Sequence, residues 1–244
     1  MISFIKTGSI DLRELEAPYL VTGYQGFGMV GYLTTRHIVR ELKLQKAGFI
    51  KTRYMPEFTL YSRDRGLVYP FEVYAGRAGG SNIVVVLHNA TPAERERTMY
   101  AEYLASLARD LGVKEVILVG GLDPSIREDE KEKYRWIPIG DTGIRLDAKL
   151  LEDRHVIGPL ALTMVFMNAY GLKGVTILSY TELYRPDPKA SAVAVEVVGD
   201  ILGVKIDTSS LLEEASIIEA IEAEREKVEK AIEESERKSR LSYI

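Results

Sequence analysis

The chain has 244 residues, of which 46% are hydrophobic and 28% charged, and its formal net charge is −4 at pH 7. This composition can fill a globular core, and it disfavours nucleic acid as the main partner because no cluster of lysine and arginine dominates any segment. The absence of cysteine excludes disulfides and thiolate metal sites. The three histidines stand apart, so no metal site is predicted.

No segment has the pattern of a membrane span or a signal peptide. The first six residues turn polar too early for a signal peptide. The most apolar stretch, residues 157–170, is shorter than a bilayer span and contains a proline and an asparagine. We therefore expect a cytoplasmic protein with no membrane partner. Few amides, no cysteine and many charged residues also predict a thermophilic source.

Strand-like and helix-like segments alternate along the chain. The runs of apolar and β-branched residues predict strands over residues 19–22, 46–51, 67–75, 83–87, 116–119 and 175–178. Apolar residues at helical spacing predict helices over residues 29–42, from a cap at Thr91 to about Leu111, and over 160–170 and 189–202. This order predicts an α/β fold, with a mostly parallel central sheet and helices on both faces. The charged segment 123–135 is predicted as an exposed loop.

Residues 211–244 form a second part, predicted as a long charged helix that follows the α/β domain of residues 1–210. A narrow apolar stripe that includes Ile218 and Ile221 can pack either on its own domain or on another subunit. A tyrosine next to a free carboxylate offers an aromatic face, a hydroxyl and a charge, which suit capture in a partner's pocket. The residues predicted to bind a partner are Leu241, Ser242, Tyr243 and Ile244.

Gly26, Gly28 and Gly31 fit the G-x-G-x-x-G pattern between a predicted strand and a predicted helix. Such glycines either cradle a phosphate or let the helix approach the sheet closely. The second predicted strand ends without the acidic residue that would hold a ribose hydroxyl. Both interpretations stay open, and the three glycines form a possible ligand turn.

The side chains that could carry catalysis are scattered. His88 and Asn89 follow a buried strand, and Glu182 follows another, but a structural role accounts for each of them. Asp187 lies between two prolines, a pattern typical of turns. No nucleophile with a neighbouring base is present. We therefore predict no catalytic residue, no cofactor and no enzymatic activity.

Several motifs together resemble a known family. The matching segments are residues 23–31, 155–162, 170–172, Glu182, 186–190, 202–204 and 206–208. They resemble the proteasome assembly chaperone family named for the second human assembly chaperone, and especially its archaeal members. The resemblance implies an α/β domain similar to purine nucleoside phosphorylases that acts as a chaperone.

The resemblance also implies a role for the tail. Archaeal members that bind the proteasome end in a hydrophobic residue, a tyrosine and any last residue, and this motif inserts between α-subunits of the core particle. Tyr243 and the carboxylate of Ile244 match that motif, whereas Ser242 stands where the hydrophobic residue is expected. Members of this kind form homo-oligomers of four or five subunits. The alternatives are a phosphorylase-like or nucleotide-binding enzyme that uses the glycine turn, and a scaffold paralogue that does not dock.

Overall fold

The structure is a computed structural model that describes residues 1–63, 65–221 and 223–224. Its strands are β1 Ser3–Lys6, β2 Tyr19–Gly23, β3 Gln45–Lys51, β4 Leu60–Ser62, β5 Gly66–Val68, β6 Phe71–Ala78, β7 Ser81–His88, β8 Glu115–Leu122, β9 Tyr134–Ile139 and β10 Gly174–Tyr180. Its helices are α1 Val30–Glu41, α2 Arg97–Asp110, α3 Gly158–Ala169, α4 Pro188–Leu202 and α5, residues 209–221. Short 3₁₀ helices cover Leu12–Glu14, Phe27–Met29, Glu94–Glu96 and Pro124–Ile126.

Eight strands form one sheet in the order β1-β3-β6-β7-β2-β8-β10-β9, and β4 and β5 form a separate hairpin. The four central strands β7, β2, β8 and β10 are parallel. The pairings outside them are antiparallel. For β6 and β7 the reason is local, because only residues 79–80 join them and a tight turn can join only antiparallel strands. The α/β class is confirmed. The sheet is mixed, where the sequence predicted mostly parallel pairing.

Helices cover both faces of the sheet, as predicted. Side chains alternate along each strand, so Val85 of β7 packs in one layer with α1 and α4, while Val84 and Val86 pack in the other with α2 and α3. This double burial explains the continuous apolar run of residues 83–87, of which the first four are β-branched. Fully burying each such side chain contributes about 1.5–3 kcal/mol. No helix in the described parts of the chain is long and apolar enough to cross a membrane.

Three local predictions were wrong. The predicted strand 67–75 is two elements, β5 and β6, separated at Tyr69 and Pro70, because proline cannot donate a ladder hydrogen bond. Thr91 does not cap a helix; α2 begins at Arg97 after a 3₁₀ turn. The segment 123–135 is exposed over most of its length up to residue 133, as predicted, but the prediction is wrong at its end: its last two residues belong to β9, and Arg135 is buried in ion pairs of 2.8 Å with Glu128 and Glu132.

The edges of the sheet are β1 and β9. β1 has four residues, and β9 contains Pro138. Beyond β9, Trp136 forms a parallel bridge with Leu150, and the Leu151 amide donates to the Trp136 carbonyl at 2.9 Å. The chain itself therefore occupies part of this edge.

The beginning of the C-terminal helix packs on its own domain. Leu211 and Ala215 of α5 are buried, and Leu211 belongs to the same apolar layer as α1 and α4. Of the predicted apolar stripe, Ile218 is half-buried and Ile221 is exposed. The first two turns of α5 are therefore held by the domain that precedes residue 210.

Candidate functional site

The turn after β2 gives the three glycines of the predicted pattern different surroundings. Gly26 borders a cavity, and a Cβ atom built there would meet nothing within 4 Å. Gly28 has a φ of +58°, and its Cβ would lie 1.9 Å from the Thr181 hydroxyl oxygen. A Cβ on Gly31 would lie 2.6 Å from backbone atoms of the turn and of β8. Gly28 and Gly31 therefore fit the packing interpretation, and Gly26 is the one of the three that borders open space.

The cavity beside Gly26 has a volume of about 420 Å³. It lies at the carboxyl ends of β2 and β8, and it is bordered by Gly120 and Gly121 of β8 and by the start of α3 at Gly158. Open α/β sheets bind ligands in crevices outside the carboxyl ends of their strands, where the connections diverge. From β2 the chain leads through α1 to β3 on one side of the sheet, whereas from β8 it leads to β9 and then through α3 to β10 on the other side. The cavity thus occupies the place where this architecture leaves room for a ligand.

His88, at the end of β7, is fully buried and held by hydrogen bonds on both ring nitrogens. Its Nδ1 lies 3.0 Å from the Gly23 carbonyl oxygen and donates to it, so Nε2 accepts from the Tyr100 hydroxyl at 2.9 Å. The imidazole also packs on Tyr24, with ring centroids 4.1 Å apart. Burial lowers the pKa of His88 to about 3, and the hydrogen bond to Gly23 opposes this shift only in part. The ring is neutral, and its role is structural.

We predict that His88 makes the protein less stable in mild acid. The folded-state pKa of about 3 lies below the ordinary 6.5, so the unfolded chain binds the proton first as the pH falls. The contribution of His88 is complete above pH 6.5 and is lost progressively toward pH 3. Between pH 7 and pH 5 the free energy of unfolding should fall by about 2 kcal/mol through this group. The measurement is urea unfolding at pH 7 and at pH 5. Between these pH values the free energy of unfolding of His88→Gln should fall by about 2 kcal/mol less than that of the unmodified protein.

The control for this measurement is His155→Gln, since His155 is exposed. That variant should keep the acid sensitivity of the unmodified protein. An equal acid-induced loss in His88→Gln and in the unmodified protein would contradict a buried neutral imidazole.

The neighbouring Asn89 belongs to a different cluster, centred on Glu72 of β6. The Glu72 carboxylate is fully buried and lies 2.7 Å from Lys46 Nζ and 3.4 Å from Arg65 Nη1. It also accepts hydrogen bonds from the Tyr74 hydroxyl and from Asn89 Nδ2, both at 3.0 Å. Sequence analysis missed this network. The only signal for it was a single carboxylate inside an apolar strand.

The other candidate polar residues have local roles. Asp187 caps α4, because its Oδ1 accepts from the Ala190 amide at 2.8 Å, and its Oδ2 accepts from the Thr181 hydroxyl at 2.9 Å. The sequence predicted a turn at Asp187, and the structure instead places this residue at the N-cap position of α4. Glu182 forms an exposed ion pair with Arg185. No cluster of three or more potential metal ligands occurs within the described ranges.

The predicted tail residues Leu241, Ser242, Tyr243 and Ile244 lie outside the described residues. Their role in docking stays a prediction. They follow α5 in the sequence, and the first two turns of α5 pack on the α/β domain through Leu211 and Ala215.

The family is decided by a match of residues 20–226 to the model of the PAC2 family. The chain belongs to the PAC2 family. The matched segment contains the glycine turn, the cavity and the described part of α5, so the resemblance inferred from the sequence motifs is confirmed. This PAC2 chain is 25% identical over 229 residues to an uncharacterized protein of Methanocaldococcus jannaschii, an alignment that covers 90% of the chain and 87% of that relative.

Two solved structures from Pyrococcus furiosus are similar to this PAC2 chain. PbaA, described as an archaeal homolog of proteasome-assembly chaperone, is 22% identical with a TM-score of 0.76, and the match covers 100% of this chain and 99% of PbaA. PbaB, described as an archaeal proteasome activator, is 19% identical with a TM-score of 0.76, and the match covers 92% and 98% of the two chains. At these identities the similarity establishes a shared fold.

Proposed function

We propose that this PAC2 protein is a homo-oligomeric proteasome assembly chaperone or adaptor that binds proteasome α-subunits through its C-terminal tail. The observation that carries the proposal is membership of the PAC2 family, together with a fold shared over nearly the whole chain with PbaA and PbaB. Those two proteins are described as a homolog of an assembly chaperone and as a proteasome activator.

The contacts of the proposed docking come from side-chain and terminal groups of the tail. Tyr243 offers an aromatic ring and a hydroxyl next to the carboxylate of Ile244, and a basic pocket can bind such a carboxylate. Ser242 places a hydroxyl where a hydrophobic contact is expected, with Leu241 one position earlier. A single tail therefore binds weakly, and several tails on one oligomer raise the apparent affinity by about 10²–10⁴-fold through effective concentration.

Exposed apolar side chains support self-association. Met99 and Val165 are 51% and 61% exposed on the helical layer formed by α2 and α3. Leu60, Tyr61 and Leu67 are exposed on the β4–β5 hairpin, which lies outside the main sheet. Exposed apolar side chains can form an interaction site where they lie together on one surface. The expected oligomer of four or five subunits would bury surfaces of this kind.

The surroundings of the candidate catalytic residues favour a chaperone over an enzyme. His88 is buried, neutral and bonded on both ring nitrogens, and Asn89 holds the Glu72 carboxylate. Neither side chain lines the cavity. The cavity beside Gly26 could hold a ligand, but among the described residues no nucleophile with a neighbouring base lines it, so we do not propose the phosphorylase-like alternative.

Removal of residues Ser242, Tyr243 and Ile244 should reduce binding to purified proteasome core particle below detection. The reason is that the deletion removes the aromatic ring of Tyr243. The shortened chain ends in the carboxylate of Leu241, which has no tyrosine beside it. The measurement is a pull-down with core particle, accompanied by light scattering of the chaperone alone. The oligomer mass should be the same with and without the tail.

The reciprocal variant is Ser242→Leu, which restores the expected hydrophobic residue and should strengthen binding. Ser239→Leu is the matched control, and it should leave binding unchanged. Full binding by the shortened chain would exclude docking through the tail. A lack of binding by both the unmodified protein and Ser242→Leu would instead identify a scaffold that does not dock.

A further inference from the structure

The cavity at the carboxyl ends of β2 and β8 is lined by none of the residues that we propose for tail docking or for self-association. Its volume of about 420 Å³ falls within the range of small-molecule sites, about 300–1,000 Å³. No side chain from the Glu72 network lines it. The cavity therefore requires an explanation of its own.

The walls of the cavity are mainly apolar. They come from the turn after β2, from β8, from β10, and from the segment that leads into α3 together with its first turn. The apolar side chains that line it are Phe27, Val119, Leu122, Leu151, Val156, Ile157, Leu160 and Leu178. At the rim, a Cβ atom built on Gly26 or on Gly158 would meet nothing within 4 Å. The absence of side chains at these two glycines leaves the entrance open. The apolar walls would exclude water from a bound ring or chain.

One guanidinium group gives the cavity a charge. Arg97, the first residue of α2, is half-buried and lines the cavity, and its Nε donates to the Pro92 carbonyl oxygen at 3.2 Å. Its terminal nitrogens form no ion pair with any described carboxylate, and no described acidic side chain lines the cavity. A half-buried guanidinium in apolar surroundings favours a carboxylate or another planar anion as its partner.

The first turn of α3 adds to the positive potential. Gly158, Pro159 and Leu160 line the same cavity, and Ile157 at the N-cap position supplies no side-chain acceptor. The backbone N–H groups of Gly158 and Leu160 lie in the first turn of the helix, where negative charge is favoured, and Pro159 has no N–H. This contribution has the same sign as that of Arg97.

We infer that this cavity binds a small organic monoanion, composed of an apolar ring or chain and one carboxylate, with the apolar part among the walls and the carboxylate against Arg97. Binding requires no chemical step. The inference does not rest on proteasome docking, so either proposal can fail without the other.

The test uses three probes with the full-length protein in isothermal titration calorimetry. These are 2-naphthoate, its neutral analogue 2-naphthamide, and acetate, which carries the charge without the apolar part. 2-Naphthoate should bind about tenfold or more tightly than 2-naphthamide, because a charge-assisted hydrogen bond to a guanidinium is lost in the amide. Acetate should give no measurable binding, because it fills none of the apolar volume.

Two variants with matched controls locate the site. Arg97→Gln should weaken 2-naphthoate binding about tenfold and leave 2-naphthamide unchanged, whereas Arg95→Gln should change neither, since Arg95 lies over the Tyr54 ring outside the cavity. Gly26→Leu places a side chain in the cavity and should abolish 2-naphthoate binding. Gly143→Leu is the control, because a Cβ on Gly143 also meets nothing within 4 Å.

Thermal unfolding of each variant verifies that it is folded before binding is compared. Equal affinities for 2-naphthoate and 2-naphthamide would overturn the assignment of a carboxylate. Undiminished binding of 2-naphthoate by folded Gly26→Leu would overturn the location. No binding of 2-naphthoate by the unmodified protein would overturn the proposal as a whole.

Discussion

Replacing Glu72 with alanine should lower the free energy of unfolding by about 3 kcal/mol, because it leaves Lys46 and Arg65 without their shared carboxylate. Both cations are 19% exposed, so their charges are mostly removed from water while the Glu72 side chain is completely buried. The Tyr74 hydroxyl and the Asn89 amide would lose an acceptor in the same substitution. Urea unfolding monitored by circular dichroism measures this loss.

A smaller loss is expected for Glu72→Gln, about 1–2 kcal/mol, because the amide keeps one oxygen acceptor and loses the charge. Glu152→Ala is the matched control, since Glu152 is exposed, and its effect should stay within about 0.5 kcal/mol. If Glu72→Ala and Glu152→Ala behaved alike, the buried network would have no stabilising role.

The second large effect is expected at Gly31, where alanine should lower the free energy of unfolding by about 3 kcal/mol. A Cβ atom there would lie 2.6 Å from the Tyr24 amide nitrogen and 2.6 Å from the Val119 carbonyl oxygen. Both are backbone atoms of the sheet layer, so neither can rotate away as a side chain could. Thermal and urea unfolding of Gly31→Ala measure the consequence.

The sign of this effect distinguishes close packing from a role confined to ligand binding. Gly31 lies inside α1, and replacing a helical glycine with alanine where space allows stabilises a protein by about 1 kcal/mol. Gly143→Ala, at an open position outside the helices, should change stability by less than about 0.5 kcal/mol. A stabilised Gly31→Ala would show that the glycine pattern is not required for packing.

The centre of the fold could be predicted from the sequence because its physical causes are local. Val84, Val85 and Val86 are β-branched neighbours that are covered on both faces, so the run itself identifies a central strand. The alternation of such runs with helical patterns was sufficient for the α/β class and for helices on both faces. The family motifs then indicated the family of the protein, which the periodicity of the apolar residues could not do.

The flanks of the sheet could not be predicted in this way. β1 and β9 are edge strands with mixed burial, so neither shows a continuous apolar run. The antiparallel order β1-β3-β6 depends on pairings between distant segments, which no local pattern encodes. Residues 67–75 alternated well enough to be predicted as one strand, although Pro70 divides them.

The candidate sites also differ in how far they could be predicted from the sequence. A local role for Asp187 was recognisable from its two neighbouring prolines, although the sequence predicted a turn where the structure has a helix cap. The Glu72 network was not recognisable, because Lys46 and Arg65 reach the carboxylate from different strands and turns. The cavity was only partly foreseen: Gly26 was a candidate, but Arg97 and Leu151 come from segments that the fold alone brings together.

The form of the two sheet edges restricts how copies of this chain can associate. A second copy cannot readily extend β9, because Pro138 lacks an amide donor and residues 149–151 already hydrogen-bond to Trp136. At the other edge, β1 offers only four residues for intermolecular pairing. A continuous intersubunit sheet is therefore disfavoured, and the proposed oligomer would form through side chains on the helical layers or the hairpin. In the proposed oligomer, surface substitutions would then change the contacts between subunits while the sheet of each subunit stays intact.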